Sequence, residues 1–204
     1  ENGTTTEDVT NDANAEITVN VSGGGGTDYL ADICDGTITR FDDENITDMS
    51  IPLFRGYSKS NVTVFLPNCT KLSGAYCFGG SGIKTVVLPA LEKVTSASYF
   101  ISGAGTTKLD IGTGFSTETE GIRNNALNGG SSMNVLILRK TSGIVPLQNI
   151  NAFTNTPFAS GKAGGTLYVP NALISSYQSA SNWSTILGYS TNSIQKIEGS
   201  AYET

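Results

Sequence analysis

Two stretches of this chain repeat each other in phase. Asn61-Val-Thr-Val-Phe-Leu-Pro67 aligns with Ile83-Lys-Thr-Val-Val-Leu-Pro89 at a spacing of 22 residues. The same offset pairs Lys71 with Lys93, Leu72 with Val94, Ala75 with Ala97 and Phe78 with Phe100. Looser copies follow. Lys108-Leu-Asp-Ile-Gly112 takes the strand position 23 residues after the second copy, Val135-Leu-Ile-Leu-Arg139 takes it 27 later, and Thr166-Leu-Tyr-Val-Pro170 takes it last. A bulky residue closes the loop of each unit: Phe54, Phe78, Phe100, Leu127 and Phe153. Each unit reads as one short strand and a returning arm of roughly 15–20 residues, which cannot bury its apolar face alone and must stack on its neighbours.

Side chains alternate across a strand. Val64 and Leu66, Val86 and Leu88, Leu109 and Ile111, Leu136 and Leu138, and Leu167 and Val169 therefore point inward, while the Phe or Leu of each arm packs from the opposite side. Pro67, Pro89 and Pro170 end their strands because proline cannot donate to a ladder. Each buried Leu or Phe contributes roughly 1.5–3 kcal/mol, so five such units make an adequate core.

Length and composition fit this reading. One domain with a tail is the default for 204 residues, and 24 glycines among many Asn, Ser and Thr favour turns and strands over helical bundles. The charge is uneven. Residues 1–50 hold twelve acids against one base, Arg40, and the remainder holds six acids against eleven bases. An acidic front repels nucleic acid and anionic lipid. No apolar run is long enough to span a bilayer. The chain begins at Glu1, not Met, which leaves room for a leader or a longer N-terminal part.

The organisation expected is an acidic N-terminal arm over 1–27, a repeat body over 28–165 and a C-terminal cap over 166–204. The arm opens with polar residues 1–14, continues as a short strand through Ile17, Val19 and Val21, and ends in the hinge Gly23–Gly26. Tyr29 to Ile33 read as a helical turn that starts the body. In the cap, Asn171 is an expected N-cap, and Leu173, Ile174, Tyr177, Ala180 and Trp183 give helical spacing. A helix over 172–183 is expected across the open end of the stack, with Ile194, Ile197 and Tyr202 in a last extended piece.

The repeat pattern resembles the BspA-like leucine-rich repeats of bacterial surface proteins. Leu136-Ile-Leu-Arg139, Asn151-Ala-Phe-Thr-Asn-Thr-Pro157, Gly165-Thr-Leu-Tyr-Val-Pro170 and Ser179-Ala-Ser-Asn-Trp-Ser184 look like the closing module of such proteins in Firmicutes, often of prophage, phage-tail type. The likeness covers about residues 28–198, with irregular arms at Ile51-Pro-Leu-Phe54 and over 117–125. It implies a β-rich α/β repeat: a single-sheet solenoid of about five short parallel strands with a C-terminal capping helix. It also implies no enzyme activity, and attachment at a surface or on a virion. It carries no defined set of binding residues.

Motifs for chemistry are sparse. The chain has no His, the commonest general base and metal ligand, and its cysteines, Cys34, Cys69 and Cys77, match no zinc spacing and read as small buried side chains. Gly23–Gly26, Gly79-Gly-Ser-Gly82, Gly103-Ala-Gly105 and Gly112-Thr-Gly114 lack the order of a phosphate-binding loop and read as turns that need positive φ. Asp42-Asp43-Glu44 with Asp48 lacks calcium-loop spacing and reads as a solvated turn. Glu92, Asp110, Glu118 and Glu120 are too few for a paired-carboxylate glycosidase, with Asp110 expected to face solvent. Sequons at Asn2, Asn20, Asn45, Asn61, Asn68 and Asn182 matter only in a eukaryotic secretory setting. No catalytic, cofactor-binding or metal residue is assigned, and no cofactor is expected.

The outward strand positions are the candidate site. Phe65, Val87, Asp110, Ile137 and Tyr168 form one row across adjacent strands, and Thr63, Thr85, Lys108, Val135 and Thr166 form the next. An apolar and aromatic stripe on a sheet is a candidate recognition surface, unless β-propensity alone selects it or an arm covers it. The expected role is a non-catalytic recognition or adhesion module, extracellular, on a bacterial surface or phage virion, whose partner is a protein or glycan surface ligand. A structural virion or surface scaffold is the alternative, and a carbohydrate-active enzyme the lesser one. Nucleic acid and membrane insertion are not expected; homo-oligomers through the N-terminal arm are an open option.

Overall fold

The computed structural model describes residues 40–56, 62–94, 101–102, 105–114 and 121–203. The expected arm with its strand and hinge, the turn at 29–33, Cys34, Phe100, Glu118 and Glu120 lie outside them.

The described residues form an α/β fold in which short parallel strands dominate and helices are few. The strands are β1 (Arg40–Asp42), β2 (Asp48–Met49), β3 (Thr63–Phe65), β4 (Lys71–Leu72), β5 (Thr85–Leu88), β6 (Lys93–Val94), β7 (Lys108–Ile111), β8 (Val135–Leu138), β9 (Thr166–Val169) and β10 (Ser193–Lys196). Seven make one parallel sheet in the order β1-β3-β5-β7-β8-β9-β10, and three make a second in the order β2-β4-β6. The expectation of a single sheet of about five strands is corrected on both counts. Arg40-Phe-Asp42 and Ser193-Ile-Gln-Lys196 extend the long sheet at its two edges, where a polar or charged strand is tolerated because half its surface faces water. The short sheet is the repeat itself seen a second time. Lys71 pairs with Lys93 and Leu72 with Val94, the offset read from the sequence.

The core follows the alternation. All ten expected inward side chains, from Val64 to Val169, are fully or almost fully buried. Leu72, Val94 and Met49 of the short sheet pack into the same cluster, as do Phe54, Phe78, Leu127 and Phe153 of the arms. The arm residues build an aromatic spine. Phe41 meets Phe54 edge-on at 5.3 Å between ring centroids, and Phe54 stacks on Phe78 at 5.3 Å. Farther along, Phe153 contacts Phe158 at 5.1 Å and Trp183 at 5.8 Å, and Trp183 meets Tyr177 at 5.4 Å.

Cys69 and Cys77 are free and buried in this core, in line with the sequence reading. Burial pushes the Cys69 thiol up to about 11 and the Cys77 thiol up to about 12, the second helped by its neighbour Cys69. The glycine loops are only partly as expected. Gly80 has the left-handed backbone (φ 65°) of a turn residue. Gly112 does not; it is required because a Cβ there would collide with the carbonyl oxygen of Pro89 in the preceding unit.

The single helix expected over 172–183 is two short ones. A 3₁₀ turn (Asn171–Leu173) leads into α1 (Ile174–Ser179), and α2 (Trp183–Leu187) follows a break at Asn182, whose φ is 64°. The break lets Asn182 donate its side-chain amide to the carbonyls of Leu147 and Gln148, 2.8 and 3.1 Å away. Asn171 is not the N-cap; its backbone N–H donates to Glu198. Nor do these helices lie beyond the last strand. They cross from β9 to β10, and their Tyr177, Trp183 and Ile186 are buried in the place that Phe153 fills one unit earlier. The Tyr177 hydroxyl oxygen accepts from the N–H of Val145 at 2.9 Å, while the Trp183 indole donates to the Val145 carbonyl at 2.7 Å. Those bonds fix the arm against its neighbour and give the Val145 backbone, the Tyr177 oxygen and the Trp183 indole each a partner.

Candidate functional site

The outer row forms as expected. Parallel register places Phe65 beside Val87, Val87 beside Asp110, Asp110 beside Ile137 and Ile137 beside Tyr168. The edge strands lengthen it, with Asp42 beside Phe65 and Gln195 beside Tyr168. The second row, Thr63, Thr85, Lys108, Val135 and Thr166, is equally in register and half-buried, and runs on to Arg40 and Ser193.

Exposure divides the row. Phe65, Val87 and Tyr168 are half-buried, but Ile137 is 0% exposed and Asp110 is 7% exposed. Asp110 therefore does not face solvent as expected. Arg139, at the end of β8, grips its carboxylate with two bonds, Nε to Oδ1 at 2.7 Å and a terminal amine to Oδ2 at 2.8 Å. That fork-on-fork pairing offsets part of the desolvation of both groups. It also holds the Arg139 guanidinium above its ordinary pKa. Ile137 keeps its place in the outward row but is covered there, and it offers no surface to a ligand.

Two cation and ring pairs flank this centre, and neither was read from the sequence. At the first edge, Arg40 on β1 lies 4.8 Å from the Phe65 ring centroid while its Nε contacts both carboxylate oxygens of Asp42, at 2.8 and 2.9 Å. The alternation of Arg40-Phe-Asp42 against Thr63-Val-Phe65, with Phe41 and Val64 both inward, is the signal that locates this pair. At the other end Tyr202 of the C-terminal tail meets Tyr168 edge-on at 4.7 Å, and the Lys108 ammonium lies 5.3 Å from the Tyr202 ring centroid. Burial, and secondarily Tyr168, raise the Tyr202 phenol above its ordinary pKa. The tail is therefore a cover over the β7 to β9 part of the face, and no local pattern in the sequence announces it.

The acidic run is a solvated turn only at Glu44, which is exposed in a bend; the other acids of the run are engaged. Asp42 is the ion-paired strand residue just described. Asp43 is 3% exposed and accepts from the N–H of Asn45. Asp48 lies on β2, 3.0 Å from Lys71 Nζ and 2.6 Å from the Ser73 hydroxyl, and those two partners bring its carboxyl below the ordinary value against the opposing effect of burial, which is the largest single influence. Among the described residues no group of three or more His, Cys, Asp or Glu side chains is placed to hold a metal ion, and no helix is long and apolar enough to cross a membrane.

Comparison with protein-family models, with curated proteins and with solved structures finds no match to this chain.

Proposed function

We propose that this chain is a non-catalytic recognition module of BspA-like leucine-rich-repeat type, a solenoid displayed outside the cell on a bacterial surface or a phage tail, which binds a protein or glycan through the outer face of its long sheet. The observation that carries this reading is the open part of that face. Parallel sheets ordinarily have both faces covered. Here the side chains of Phe65 and Val87 keep accessible surface, and the Arg40 guanidinium lies over the Phe65 ring. An aromatic ring with a cation at its face offers stacking area and directional donors, the two ingredients common at recognition sites. The stack of units with in-register strands supports the solenoid part of the reading.

The test is binding of the whole chain to arrayed glycans and to immobilised surface proteins, with Phe65→Ala and Arg40→Ala beside the unaltered chain. Binding that falls at least about fivefold in both variants, at a melting temperature within a few degrees, is expected. Binding indifferent to both variants sinks the assignment to this face. Release of reducing sugar from a bound glycan overturns the non-catalytic part.

A purely structural scaffold is the second reading, favoured by the tail over Tyr168 and by the burial of Ile137. It predicts no ligand in the same assay.

A further inference from the structure

A groove lies away from the sheet face, between the arm that follows β8 and the end of α2. It is an open groove of about 280 Å³. Its apolar lining is Ile150, Ala159, Ile186 and the ring of half-buried Tyr189. Its polar lining includes Asn151, Asn155, Ser160 and Lys162, all exposed. None of these four side chains makes a hydrogen bond or an ion pair with another described residue, whereas nearby Asn149 accepts from the N–H of Asn151, Thr156 bonds the Phe153 carbonyl, and Asn192 makes three bonds. The groove is thus a place where amides, a hydroxyl and an ammonium stand unpaired around an apolar patch.

That combination selects a ligand. Sugar rings present a face of C–H groups and a rim of hydroxyls. The first suits an aromatic ring, and the second suits side-chain amides, which donate and accept from one group. A bare phosphate or sulfate would leave the apolar lining unused. The volume lies just under the roughly 300 Å³ at which small-molecule sites begin, so it fits one ring and not a folded peptide. Lys162 is the charged side chain of the lining, and a carboxylate is the group on a sugar that it would meet. We infer that this groove binds a carboxylated monosaccharide unit, such as the acidic terminal residue of a longer glycan. The groove is a second site apart from the sheet face, and it rests on the recognition reading for its setting but not for its geometry.

The test is an amide NMR titration of the whole chain with glucuronate, galacturonate and N-acetylneuraminate, each at constant ionic strength, beside glucose and inorganic sulfate. At least one acidic sugar is expected to shift the Asn151 and Asn155 side-chain amides saturably, with a dissociation constant on the order of 1 mM, which is what a ligand of that size attains. Glucose and sulfate should bind more weakly. Lys162→Met should weaken the acidic sugar about five- to tenfold without altering the melting temperature, since the ammonium is exposed. Three acidic sugars that leave those amides unmoved overturn the site. Equal response to glucose or to sulfate, or indifference to Lys162→Met, overturns the ligand class. Shifts are read residue by residue, so failure here is distinguishable from failure at Phe65 on the sheet face.

Discussion

The two ends of the long sheet solve one packing problem by different means. Around β1, β3 and β5 the units are short, and the chain between strands of the long sheet returns through the two-residue strands β2, β4 and β6. Around β8, β9 and β10 the units are longer, and the return is made by the 3₁₀ turn at Ile150–Phe153 and by α1 and α2. Both solutions put a large ring on the same inner line, Phe54 and Phe78 at one end, Phe153 and Trp183 at the other. The outer faces differ as well. Tyr202 crosses one end, while at the other the Phe65 ring is met by a guanidinium. What is held constant is the inward layer. Arm length and outer cover vary around it.

This contrast can be broken from either side. The largest effect is expected from Trp183→Ala, which opens a cavity beside Phe153 and strips the Val145 carbonyl of its donor; about 4–5 kcal/mol should be lost, against about 3–4 for Phe78→Ala in the short-arm region. Urea denaturation measures both. Equal losses would mean that the indole bond adds nothing to the ring.

Alkali should act next. Cys69 and Cys77 are neutral in the folded chain until about pH 11 and 12, whereas an unfolded thiol ionises near 8.5. The unfolded state therefore holds fewer protons above that pH, and stability falls as pH rises, by on the order of 2–3 kcal/mol for each thiol by pH 11. Tyr177, pushed up to about 12 by burial, adds a smaller loss at the helical end above about pH 10. Cys69→Ala with Cys77→Ala should flatten the profile from pH 8 to 11; a profile unchanged by the pair would refute the assignment to the short-arm end.

Asp110→Asn should cost about 2 kcal/mol, because Arg139 keeps a neutral partner but loses the ion pair in a place where both are largely covered. A thermal melt reports it. The smallest effect belongs to the tail. Tyr202→Ala should cost only about 1 kcal/mol, since the ring is half-buried, yet it should raise the hydrogen exchange of β9 while leaving β3 as it was.

Much of this was legible in the sequence, for physical reasons that also set the limit. The inward residues were readable because alternation is local and a slip of one residue would turn every side chain to the wrong face. The same offset that aligned Pro67 with Pro89 also aligned Lys71 with Lys93, but two-residue strands give no periodicity of their own, so the short sheet passed as arm. Arg40-Phe-Asp42 was masked by the acids after it. The five-residue row was found in register, and its composition was not enough to predict exposure. Ile137 is fully covered on its outer side, the tail lies against its neighbour Tyr168, and Asp110 is claimed by Arg139, a residue read only as the end of a strand. Burial of a strand's outer side is a long-range property, and short patterns do not encode it.

The edge strand β10 has one more consequence. Parallel stacks of this kind end in a row of backbone groups that a second molecule could extend without limit, and nothing in the inward pattern forbids it. Here the last strand is four residues long, and its final two positions, Gln195 and Lys196, are exposed. A strand that finishes on an exposed amide and an exposed charge is a poor template for another. That edge of the described sheet is thus guarded by its own polar side chains, while Ile194 of the same strand packs against the core.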